Sequence, residues 1–187
     1  HRSQTQLTLH KEAPNKYSSH VLSVIFPPEE LQILGYHRVV KMPDNKKIMD
    51  FWLYLKAHFD ILPSSIPILP SSENEFGCFI EQQWYQLIFK SCTATLKGIN
   101  LLHSTLIETF FNVLKPKEDP NIDFIGGKKA AVEIEQYCKN NPAWIGFTIA
   151  PTTIEEIIKT GDENKIMPPK STYFEPKLLD GFLLQEE

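Results

Sequence analysis

The residues best suited to chemistry lie in Met167-Pro168-Pro169-Lys170-Ser171-Thr172-Tyr173-Phe174-Glu175-Pro176-Lys177, where an ammonium, two hydroxyls and a phenol crowd between prolines. Proline fixes φ, so such a turn can aim its donors at one anion without a large ordering cost. Lys170 supplies charge, and Ser171 and Thr172 supply oriented O–H donors, a set suited to a phosphate or carboxylate. The segment is not a P-loop, because it lacks the glycines that let backbone amides wrap a phosphate. The same residues also read as a polar turn that feeds a last strand.

Further cations occur elsewhere. Tyr36-His37-Arg38 ends a predicted strand. Alternation along a strand puts the imidazole and the guanidinium on opposite faces, so only one can face a given site. Arg38 can fork a phosphate, although a strand-end arginine is more often solvated or ion-paired. His1-Arg2 sets a proton carrier beside a bidentate anion ligand, or is simply a frayed end. Gly126-Gly127-Lys128-Lys129 puts two lysines where a helix begins, which opposes the macrodipole unless an anion binds or water solvates them. His103 follows two leucines and reads more readily as a satisfied core histidine than as a ligand. The carboxylates are scattered, with Glu73 and Glu75 in a loop and Glu155 assigned to a helix cap. No Ser-His-Asp order, no H-E-x-x-H and no metal-ligand cluster emerges.

These groups need elements to position them. Val21 to Phe26 reads as a buried strand stopped by Pro27-Pro28, and Leu31 to Lys41 as a second extended segment. Asp44 is a candidate cap for a helix with Ile48, Trp52, Leu55 and Phe59 on one face. Ile61 to Ser72, with three prolines and four serines, reads as an extended loop. Phe76 to Ile80 and Trp84 to Lys90 fit a hairpin. Ile99, Leu102, Leu106, Phe110 and Leu114 mark a helical stripe that Pro116 closes. The last third alternates: strand Ile122 to Ile125, helix Lys128 to Asn140, strand Ala143 to Ala150, helix Thr153 to Thr160 and strand Leu178 to Leu184. Thr152 with Glu155 makes a capping box, and Gly161 a left-handed C-cap. Alternating strands and helices imply crossovers. The expected fold is α/β (α+β mixed), a mixed and partly parallel sheet flanked by helices. It is one unit over residues 1–187, with a possible lobe boundary within 61–74.

Composition sets outer limits. The chain has 187 residues, 42% apolar and 22% charged, with a net charge of −4, enough to bury one sizeable core. An acidic pI near 5.9 and the lack of a basic stripe speak against DNA as a partner. Cys78, Cys92 and Cys138 form no C-x-x-C pair, which fits a reducing, cytoplasmic setting better than a disulfide framework. No apolar run approaches the ~20 residues a membrane span needs. The opening His1-Arg2-Ser3 lacks an initiator methionine and a signal peptide, so the chain is expected to begin inside a larger product.

Residues Lys165 to Leu178 closely resemble the C-terminal M-P-x-K-S-T-Y-F-x-P-K pattern of domain-of-unknown-function family 1015. Tyr36-His37-Arg38-Val39-Val40 resembles its H-R-V-V strand, and Leu102-His103 its leucine-histidine helix start. Ala143 to Pro151 with Thr153-Ile154-Glu155-Glu156 resembles its strand-proline-helix block. His1-Arg2 is similar to the last two residues of the family's D-G-H-H-R motif, whose first three are absent here. That motif resembles an element of the ParB/sulfiredoxin superfamily, which includes free L-serine kinases. The resemblance implies the C-terminal part of a phosphate-handling enzyme, a small-molecule kinase acting on free L-serine with Mg²⁺ and a nucleotide or pyrophosphate donor. It implies that His1 and Arg2 hold donor phosphate, that Lys170, Ser171 and Thr172 bind phosphate or the serine carboxylate, and that Arg38 assists. The acidic residues that activate the hydroxyl would belong to the N-terminal half, the expected partner of this part beside the phosphate metabolite. A phosphate-monoester hydrolase and a non-catalytic ParB-like nucleotide-binding or scaffold module are the alternatives.

Overall fold

Val39 and Val40 are both fully buried, yet neighbouring strand residues point to opposite faces, so the strand that carries them is covered on both sides. The computed structural model describes Thr8, Lys11, Glu12 and residues 24–91 and 96–177. Residues group into two units, His1–Gln32 with Pro176–Glu187, and Ile33–Glu175. In the first, Val24 and Ile25 are exposed and a 3₁₀ turn covers Pro28–Glu30. Val24 to Phe26 form no strand; Val21 to Ser23 of that expected strand lie outside the described residues, as does everything before them except Thr8, Lys11 and Glu12.

The described residues of the second unit form eight strands in chain order: β1 (Gln32–Leu34), which begins at the unit boundary, β2 (Tyr36–Lys41), β3 (Phe59–Ser64), β4 (Glu75–Ile80), β5 (Gln83–Phe89), β6 (Ile122–Gly126), β7 (Trp144–Ile149) and β8 (Tyr173–Glu175). β1 and β8 form a two-stranded sheet, and the others a six-stranded sheet of order β3-β5-β4-β7-β2-β6. The mixed α and β class holds, but the expected parallel character does not. Every pairing in the large sheet is antiparallel, because β6 and β7 add on either side of the early strand β2 instead of pairing with each other. The expected loop from Ile61 is also corrected, since Ile61 to Ser64 pair with β5.

The β4–β5 hairpin closes through Glu81 and Gln82, at φ 49° and 61°, with Ile80 opposite Gln83. Positive φ at both central residues is the primed turn that matches strand twist. β8 was not foreseen, and the expected strand Leu178 to Leu184 lies outside the described residues.

Four helices accompany the strands among the described residues of this unit. α1 spans Ile48–His58, and α2 spans Gly98–Leu102 and winds on as a π-helical turn over His103–Glu108. α3 is Ala130–Asn140 and α4 Ile154–Asp162. α1 and α2 cover one face, where Val40, Phe51, Leu55, Leu102, Leu106 and Phe147 share a core. Phe51 meets Phe110 at 4.9 Å and Phe111 at 5.4 Å between ring centroids. Each such buried side chain contributes roughly 1.5–3 kcal/mol. α3 covers the other face through Ile134 and Cys138, packed with Val39, Phe79 and Trp84.

Two helix starts differ from expectation. α1 begins after Lys47, whose N–H donates to Asp50 Oδ2 at 2.8 Å, while Asp44 pairs with Lys41 at 3.4 Å. α4 is capped by Thr153, which accepts from the Glu156 N–H at 3.1 Å, because the Thr152 hydroxyl donates instead to the Ser171 carbonyl at 2.9 Å. Gly161 lies inside α4, and the left-handed residue beyond it is Asn164, φ 51°. No helix among the described residues is long and apolar enough to cross a membrane.

Candidate functional site

β2 presents His37 and Arg38 to opposite faces, as alternation requires. His37 is buried, and its Nδ1 accepts from the Ile149 N–H at 3.1 Å. Burial first, and the Arg38 charge second, lower its pKa to about 4, so the ring is a neutral acceptor joining β2 to β7. It serves the core.

Arg38 is only 2% exposed. Its Nη1 donates to the Tyr36 carbonyl and its Nη2 to the Pro169 carbonyl at 2.8 Å, and its Cζ sits 5.2 Å from the centre of the Phe124 ring. Burial lowers its pKa to about 9, partly offset by Tyr36, so it stays charged at neutral pH. Among the described residues no carboxylate forms an ion pair with it. Buried charges are ordinarily paired. Among the described residues this one is met by two carbonyl dipoles and a ring face, which leaves a positive field beside the turn it holds.

That turn is the proline-braced segment. Lys170 has φ 56°, a conformation that costs a long side chain of order 1 kcal/mol. Its Nζ stands 5.4 Å from the Tyr36 ring centre, and the side chain is exposed. The Ser171 hydroxyl is spent within the turn, donating to the Pro168 carbonyl at 2.6 Å. Thr172 is half-buried and follows directly. Tyr36 meets the edges of Tyr173 at 5.3 Å and Phe124 at 6.2 Å. Tyr173 in turn lies against Gly126, where a Cβ would come within 2.1 Å of its Cδ2. Arg38, Lys170, Ser171 and Thr172 are thus brought together. His1 and Arg2 lie outside the described residues.

Sequence reasoning missed Glu108. Five positions are about 1.4 turns of α-helix, which places residues i and i+5 on different faces. The i→i+5 winding of the π-turn returns them to one face, and His103 Nε2 lies 3.1 Å from Glu108 Oε1. His103 has a lowered pKa, chiefly through burial, with Glu108 opposing and the Arg38 charge reinforcing. A stripe read at a 3.6-residue period carries no sign of such a turn.

Other features fit an anion less well. The Gly126-Gly127-Lys128-Lys129 segment turns at Gly127, φ 107°, and Tyr173 packs against Gly126. A cavity of about 660 Å³ beside α4 is lined by Glu73, Lys97, Glu156, Lys159 and Lys165 among others. Two of its three lysines are already matched, Lys97 with Glu73 at 3.5 Å and Lys165 with Glu163 at 2.7 Å. No group of three His, Cys, Asp or Glu gathers as metal ligands among the described residues.

The chain belongs to the family described as "Protein of unknown function (DUF1015)", which matches residues 1–115. That span carries Arg38, His103 and Glu108, while the Lys170 turn follows it. Among solved structures the chain is similar to a free serine kinase in complex with AMP, at 12% identity and TM-score 0.49, covering 82% of this chain and 57% of that one. It is also similar to a glutamate-to-alanine variant of a free serine kinase in complex with ADP, at 16% identity and TM-score 0.43, covering 81% and 58%. The chain thus spans somewhat over half the length of those kinases. No curated protein matches it.

Proposed function

We propose that this chain contributes the phosphate-holding side of a small-molecule kinase that phosphorylates free L-serine from a nucleotide or pyrophosphate donor. The observation that supports this reading best is Arg38, a buried cation without a carboxylate that grips the Pro169 carbonyl. The residue it helps to present, Lys170, keeps a long side chain at a φ where glycine would be relaxed. Such an outlier is a reason to look for function in the ammonium. Phosphoryl transfer asks a protein mainly to position groups and neutralise charge. Lys170 Nζ and the Thr172 hydroxyl bind a phosphoryl oxygen or the serine carboxylate, and Arg38 acts on the turn as a positioning residue. In the transfer, the serine Oγ–P bond forms, the donor P–O bond breaks with its electron pair leaving on the donor phosphate, and the hydroxyl proton passes to a base. The described residues hold no group of three His, Cys, Asp or Glu side chains fitted to a metal ion.

The test is ³¹P NMR of the full-length protein with L-serine plus ATP, ADP or pyrophosphate, against phosphoserine plus water. Serine-dependent phosphoserine is the expected product. Free phosphate from phosphoserine would instead establish the hydrolase, and no product in either mixture would sink both.

A further inference from the structure

Opposite Tyr36 in the β2–β6 pairing stands Gly126, which has no side chain to fill its place on that face of the sheet. The Tyr173 ring lies over the glycine and meets Tyr36 edge-on at 5.3 Å, while Phe124, on the same face of β6, meets it at 6.2 Å. Two edge contacts thus fix the plane of the Tyr36 ring. The Lys170 ammonium lies over the face of that ring, its Nζ 5.4 Å from the centre, inside the ~6 Å reach of a cation–π contact.

Both Arg38 and Lys170 are therefore seated on rings, Arg38 on Phe124 and Lys170 on Tyr36. Tyr36 serves the two together, because its carbonyl also accepts from Arg38 Nη1. Among the described residues neither cation forms an ion pair with a carboxylate. The chemistry of the holder matters here. A carboxylate would cancel the charge of the lysine, and an incoming anion would have to displace it. An aromatic quadrupole attracts a cation but carries no net charge, so it holds the ammonium in place and leaves its charge available. An exposed lysine gains little stability from such a contact, and this one keeps a backbone at φ 56° that disfavours a long side chain. Folding alone is a poor reason for the arrangement.

We infer that Tyr36 is a positioning residue of the anion site, its ring face holding the Lys170 ammonium uncompensated for a phosphoryl oxygen. This rests on the phosphate reading of Lys170.

Calorimetric titration of the full-length protein with pyrophosphate tests this, using Tyr36→Phe and the same ring carrying one, two and three fluorines. Fluorine drains negative charge from the ring face and scarcely alters its size, so a packing role predicts equal affinities. Affinity is expected instead to fall stepwise, by about 2- to 5-fold from Tyr36→Phe to the trifluorinated ring, the scale of one exposed cation–π contact. In Lys170→Gly the same series should be flat, because the ring acts through the ammonium. Equal affinities across the series with Lys170 present, or the same fall in Lys170→Gly, would overturn the role of Tyr36 and leave the kinase reading standing. A stepwise fall without any phosphoserine from serine would refute the kinase and leave Tyr36 as the holder of an anion-binding lysine. No pyrophosphate binding by the unaltered protein would overturn both.

Discussion

The guanidinium of Arg38 donates to the carbonyl oxygen of Pro169 at 2.8 Å although 131 positions separate them in the chain. A strand from early in the sequence thereby fixes a turn near its end. Lys170 follows the bonded proline directly, so its backbone position depends on that contact.

Replacing Arg38 by lysine tests the clamp. One ammonium keeps the charge but cannot fork to both the Tyr36 and Pro169 carbonyls. Loss of one charge-assisted bond is expected to cost about 1.5–3 kcal/mol in urea unfolding. Amide shifts in Lys170 to Thr172 should move while those of α3 stay. A silent substitution would mean that the turn holds itself.

His37 should make stability depend on acid. Its pKa is lowered to about 4 from an ordinary 6.5, so between those values the unfolded chain binds a proton that the folded chain refuses. The sign follows: its contribution is complete above about pH 6.5 and is lost as pH falls towards 4. The loss is roughly 3 kcal/mol. Urea titrations across this range, with an NMR titration of the ring, check it. A ring midpoint near 6.5 would contradict the buried acceptor.

Gly126→Ala should strain the aromatic support of the turn. The new Cβ would stand 2.1 Å from Tyr173 Cδ2, forcing the ring off the strand at a cost of about 1–3 kcal/mol. Tyr173→Ala should recover much of that loss when combined with it, a coupling that a double-mutant cycle of unfolding free energies measures.

Much of this scaffold could be read from residue patterns, and the exceptions share a cause. β6, α3 and β7 follow from apolar runs and helical spacing, which are local properties. The direction of pairing is not local. β7 lies between β2 and β4, strands from earlier in the chain, so alternation of strand and helix did not reveal its antiparallel partners. The cap of α4 moved by one residue because Thr152 is engaged by Ser171, 19 positions away. The stripe through Phe110 held for burial, but Leu114 is 68% exposed, since the π-turn ends the regular spacing before it.

The candidate site divides the same way. Composition and prolines marked Lys170, Ser171 and Thr172, and strand alternation separated Arg38 from His37. That Arg38 would be buried, unpaired and bonded to Pro169 depended on tertiary placement. Glu108 could not be chosen from among many surface glutamates.

The most direct measurement is the rate of phosphoserine formation by full-length protein carrying Lys170→Gly, with the unfolding free energy of the same sample. Glycine relieves the backbone at φ 56° while deleting the ammonium, so the chain should be no less stable. Its kcat/KM should fall about 10- to 100-fold, the equivalent of losing one hydrogen bond to a charged group. Turnover equal to that of the unaltered protein would contradict a phosphate site at Lys170.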